Sequence, residues 1–173
     1  MKILLVSPQF YRILGFYNRY FPFGITLLGT ILKNKGYRVT VYDADCYTNP
    51  ESIDYSQLPS KYPFYLNSFE DKRNEVWKEV RSVIKRESPD VVGISVFTTF
   101  AASAFNVARI VKNVAPRAKV IFGGPHAFVR AKEVLSICKD VDYVVSGDGE
   151  DALLELLGNF EVKKPRLESI LGL

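Results

Sequence analysis

Two cysteines in 173 residues are too few for a disulfide framework, and Cys46 and Cys138 lie too far apart for a clustered metal site. A reduced, cytoplasmic protein is the expectation. The single histidine, His126, has no sequence-signalled partner, so neither a Ser-His-Asp nor a Cys-His nucleophile is supported. No apolar run approaches the ~18 residues of a membrane helix, and the apolar N-terminal stretch is too short for a signal-peptide core. No G-x-G-x-x-G follows the first strand-like run, and no G-x-x-x-x-G-K-[ST] is present, which removes the dinucleotide and phosphate-loop classes. A phospho-receiver would need acids where Ser7 and Ser95 stand. The net charge of +4 is mild, and Lys163, Lys164 and Arg166 around Pro165 form the only compact basic group. Neither nucleic acid nor membrane is an expected partner.

What is present is ordinary in bulk and specific in pattern. At 47% hydrophobic and 24% charged, the chain is long enough for one buried core. Short apolar runs without helical period predict strands over 2–7, 37–42, 91–96, 119–122 and 142–146. Helical patterns fall over 25–32, up to about 114 after the third strand, and over 132–137 and 151–157. Val76, Trp77, Val80, Val83 and Ile84 make one apolar helical stripe, with Ser68 and Asp71 reading as its start. Residues 9–23 and 46–67, rich in aromatics and proline, read as long loops. Five strands alternating with helices predict an α/β fold: a flavodoxin-like (Rossmann-like), doubly wound five-stranded parallel sheet, order 2-1-3-4-5, with helices on both faces.

Such sheets bind ligands at the carboxyl ends of their strands. The unusual turns all fall there: Ser7, Pro8 and Gln9; Ser95, Phe97, Thr98 and Thr99; Gly123, Gly124, Pro125 and His126; Gly147, Asp148, Gly149 and Glu150. Two adjacent glycines let main chain come close to something large and flat, and Pro125 stiffens the exit. The plainer alternative is that Gly, Ser and Asp simply turn the chain and cap helices.

Pro22-Phe-Gly24, Gly36-Tyr-Arg-Val-Thr-Val-Tyr-Asp43, Pro89-Asp-Val-Val-Gly-Ile-Ser95, Gly123-Gly-Pro-His-Ala127 and Asp142-Tyr-Val-Val-Ser-Gly-Asp-Gly-Glu150 occur in that order. Together they resemble the N-terminal cobalamin (vitamin B12)-binding domain of cobalamin-dependent radical SAM enzymes. The resemblance implies cobalamin as cofactor, held by the residues of the four turns, its tail in a slot lined by Ser95, Phe97 (where the wider fold has Leu) and the glycine pair. The D-x-H-x-x-G turn of many cobalamin proteins is absent, because Gln9 follows the first strand. The cofactor is then expected base-off, without a protein histidine on cobalt, and His126 is expected at the corrin rim.

The resemblance also implies a C-terminal radical SAM barrel as partner, carrying the [4Fe-4S] cluster and S-adenosylmethionine. Two cysteines cannot supply a C-x-x-x-C-x-x-C, so this fragment alone is predicted to bind and not to catalyse, while the full-length parent is predicted to be a methyltransferase or a related C–C bond-forming or rearranging enzyme. Residues 1–160 are expected to be the cobalamin-binding domain and 161–173 a linker. The competing readings are a degenerate domain with a structural or docking role only, and a small-molecule enzyme working through His126 and Asp148.

Overall fold

Five parallel strands form one sheet: β1 (Lys2–Ser7), β2 (Arg38–Asp43), β3 (Val91–Ser95), β4 (Lys119–Gly123) and β5 (Tyr143–Val144), in the order β2-β1-β3-β4-β5. The computed structural model describes residues 1–17, 20–46, 52–71, 73–162 and 166–173. The architecture is the flavodoxin-like one expected, and its order reverses between β1 and β3.

Strand side chains alternate between faces, so each strand feeds two cores. Leu4, Val6, Val92, Ile94, Val120 and Phe122 pack with Val80, Ile84, Val107, Val111 and Val134. These come from α3 (Glu75–Glu87), α4 (Ala101–Val114) and α5 (Pro125–Ile137), which cover one face. Ile3, Leu5, Val91 and Ile121 pack on the other face with Ile25 and Leu32 of α1 (Phe23–Asn34) and with Leu153 and Leu156 of α6 (Gly149–Phe160).

Two expectations are corrected and one is extended. Residues 46–67 are not all loop: a 3-10 turn (Tyr55–Gln57) leads into α2 (Leu58–Ser68), although residues 47–51 lie outside the described residues. Pro63 sits inside α2, where its ring and missing N–H oppose a helix. Tertiary contact overrides it: Tyr65 is fully buried among Phe10, Leu14 and Phe16, and its hydroxyl contacts Ser103 Oγ (2.9 Å) and accepts from Ser103 N–H (3.0 Å). Ser68 ends α2 instead of starting the next helix. Its hydroxyl donates to the Tyr65 carbonyl and accepts from Trp77 Nε1, while Asn74 caps α3 through the Val76 and Trp77 N–H groups. The helix expected over 132–137 is present as the second half of α5: the backbone kinks at Arg130, and a first half starts at Pro125, since proline is pre-set for the first helical position.

Beyond α6, Ile170 is buried in the α1–α6 core and the Ser146 N–H donates to the Gly172 carbonyl at 2.6 Å. Of the compact basic group, Lys163, Lys164 and Pro165 lie outside the described residues. Among the described residues no helix is long and apolar enough to cross a membrane.

Candidate functional site

The carboxyl ends of the strands open into a cavity of about 710 Å³ between the sheet and the α1–α6 layer. Its rim on the sheet side is one row of small residues, Ser7, Ser95 and Gly123, with Ser95 and Gly123 in register. One step deeper on the same face stand Leu5, Gly93 and Ile121, also in register. Ile25, Leu28 and Leu153 wall the helix side. Volume and lining fall within the range of small-molecule and cofactor sites.

Each expected residue can now be located. Ser7, Ser95, Phe97, Thr99, Gly123, Gly124 and Pro125 line the cavity, and so do Gly147, Asp148, Gly149 and Glu150. Pro8, Gln9, Thr98 and His126 do not. Gln9 is completely buried, and its amide has no hydrogen-bond partner among the described residues. His126 Nδ1 instead contacts Thr98 Oγ1 at 3.1 Å.

The backbone explains the glycine pair. Gly124 has φ +94°, and a Cβ there would lie 3.0 Å from Val96 N and 3.1 Å from Val96 O. Only glycine meets both demands. Gly123 is different: a Cβ would find nothing nearer than Val145 O at 3.9 Å, and its open side is the cavity. Phe97 does not fill the slot's floor, since its ring leans on Phe100 at 5.3 Å and is 47% exposed.

The loop after β1 is held from below. The buried Asp45 carboxylate accepts from the Phe10 and Arg12 N–H groups, both at 2.8 Å. Arg12 in turn grips Glu79 of α3 with both terminal nitrogens, and Tyr42 donates to the same carboxylate at 2.8 Å. Arg12 and Tyr42 hydrogen bonds keep Glu79 below the usual carboxylate range, whereas burial pushes Asp45 up. Tyr11, on this braced loop, lines the cavity with Tyr20, Phe21 and Phe23, and burial raises its phenol. Phe21 and Phe23 are each 69% exposed at the mouth.

Sequence reasoning missed Leu5, Gly93, Ile121, Leu28 and Leu153. A signal existed for the strand residues: Gly93 and Leu5 stand two before Ser95 and Ser7, hence on the same face. Among the described residues no group of three or more His, Cys, Asp or Glu side chains could hold a metal ion.

A doubly wound sheet that opens into a largely apolar cavity at its switch point defines a ligand-binding domain of the α/β class. The family model of the B12 binding domain matches residues 13–157, and the chain belongs to that family. It is 35% identical over 97 residues to an uncharacterized methyltransferase, PH0819, of Pyrococcus horikoshii, covering 56% of this chain and 21% of that protein. It is 26% identical over 161 residues to an anaerobic magnesium-protoporphyrin IX monomethyl ester cyclase of Rubrivivax gelatinosus, covering 91% of this chain and 24% of that protein. A 2-(S-pantetheinyl)-carbapenam-3-carboxylate methyltransferase of Streptantibioticus cattleyicolor matches at 38% over 69 residues, 40% of this chain and 10% of that protein. The chain thus spans a quarter or less of the curated relatives it matches.

Proposed function

We propose that this chain is the cobalamin-binding module of a longer radical SAM enzyme, a methyltransferase or a related C–C bond-forming or rearranging enzyme. The observation that carries the cofactor reading is the open, apolar slot beneath the Ser95–Gly123 rim, at the switch point of a B12-family sheet. The residues fit the group. Gly123 and Gly124 offer a main-chain edge, Asp148 and Glu150 offer acceptors to the primary amides of the corrin periphery, and the floor accepts an apolar ring. Bound cobalamin supplies a cobalt–carbon bond from which a methyl group can be transferred. This chain's part is to hold and orient the ring and to shield one face from water. The substrate, the barrel domain and its [4Fe-4S] cluster and S-adenosylmethionine belong to the parent and are part of the proposal.

A base-off cofactor without a protein imidazole is supported by the loop after β1, which carries Gln9 and Tyr11 and no histidine, and by His126, which lies outside the cavity wall. The family match and the open slot weigh against a purely structural role. Gel filtration after incubation with hydroxocobalamin decides between the two. Corrin absorbance travelling with the folded protein is expected, and a colourless, folded protein would refute cofactor binding.

A further inference from the structure

We infer that the slot selects among corrinoids by the base at the end of the nucleotide tail, accepting a benzimidazole-type or phenolic base and rejecting a purine. This rests on the cofactor reading above and goes further, from the class of ligand to the member of the class.

The composition of the slot changes sharply with depth. At the rim, Ser7 and Ser95 carry hydroxyls, and Ser95 Oγ has no hydrogen-bond partner among the described residues. One register step deeper, Leu5, Gly93 and Ile121 bring only carbon and hydrogen, and Leu28 and Leu153 of the helix wall do the same. The main chain there gives little help, because β3 is paired on both sides and its amides and carbonyls serve the two parallel ladders. A ring that reaches this row leaves water and faces side chains that offer it no donor or acceptor.

That environment treats the bases unequally. An adenine carries an exocyclic amine and several ring nitrogens, each of which loses its water partner on entry and gains none. A dimethylbenzimidazole has methyl groups on its outer edge and a single free ring nitrogen, and a phenolic base has still less to lose. The floor is shaped as well as apolar. Gly93 is the one residue of its row without a side chain, and the space above it is taken by the tip of Leu5, 2.8 Å from where a Cβ would stand. Leu5 can therefore yield to a flat ring, since a methyl end moves more readily than backbone does.

The test compares three corrinoids on the full chain by equilibrium titration: hydroxocobalamin, the analogue with adenine as lower base, and cobinamide, which has no base. Hydroxocobalamin is expected to bind about tenfold or more tightly than the adenine analogue, the effect of one unpaired buried polar group. Cobinamide is expected to bind more weakly than hydroxocobalamin. Leu28→Asn places an amide in the slot wall at a half-buried position and is expected to narrow the gap between cobalamin and the adenine analogue. Equal binding of the adenine analogue overturns the inference, and so does cobinamide binding as tightly as cobalamin, since the tail then stays outside. Both results leave corrinoid binding intact, whereas failure of all three ligands to bind refutes the cofactor reading itself.

Discussion

The two faces of this sheet are made by the same strands and finish differently. On the α3–α4–α5 face, Val6, Ile94 and Phe122 lie in register, each at most 2% exposed, and Phe105 stacks on Phe122 at 5.8 Å. On the α1–α6 face, the next residues along are Ser7, Ser95 and Gly123, and the sheet opens into its cavity. The difference teaches that a binding slot requires no exotic backbone. Apolar bulk carried to the end of the strand seals one face, and shrinking the alternate side chains opens the other.

The largest effect should come from breaking the sealed face. Phe122→Ala removes a fully buried ring and is expected to cost about 3–5 kcal/mol, read by urea denaturation. Within the open face, the two glycines should separate. Gly124→Ala forces a methyl against Val96 at positive φ and should cost roughly 1–3 kcal/mol. Gly123→Ala should change stability by about 0.5 kcal/mol or less while lowering hydroxocobalamin affinity, because its methyl stands in the cavity. Equal destabilisation by the two would erase the distinction between a packed turn and a ligand-facing one. Tyr65→Phe, which orphans the Ser103 N–H at the aromatic cluster behind the cavity loop, should cost about 1 kcal/mol by the same assay.

The smallest effect sharpens how the sealed face braces the open one. Glu79 has a folded pKa below its usual value, so its bonds to Arg12 and Tyr42 stabilise the fold above the ordinary carboxylate range. That contribution is lost as pH falls through the lowered folded pKa. Asp45 runs the other way: its folded pKa is raised by burial, so its ionisation costs stability as pH rises through that value. Glu79→Gln should therefore flatten the acid limb of stability measured over roughly pH 3 to 7, and an unchanged limb would remove Glu79 as the brace.

Much of this was legible because strands bounded by turns announce themselves locally. The apolar runs at 2–7, 91–96 and 119–122 allowed little else, and their order with the intervening helices led directly to the topology observed. The helix over Leu58–Ser68 was hidden by Pro63, whose local opposition is overcome by the packing of the buried Tyr65, while Pro59 sits in the first turn, where proline is tolerated. The half of α5 before the kink at Arg130 was hidden by reading Gly-Gly-Pro as a turn, when its proline is the first helical residue. His126 drew attention as the lone imidazole beside two glycines, yet the fold turns it to Thr98 and leaves it off the cavity wall.

By itself, then, the sequence determined the succession of the five strands, the sheet order that follows from it, and the edge at which a ligand would meet bare backbone. Steric preference acts between near neighbours, and these features are written between near neighbours. Only the tertiary structure decided which face opens, how deep the slot runs and what holds its loop. The slot is the space left among Leu5, Leu28, Gly93, Ile121 and Leu153, and the brace joins Arg12 to Asp45 and Glu79. A space between distant segments has no local signature, because it exists only once the packing of all of them is set.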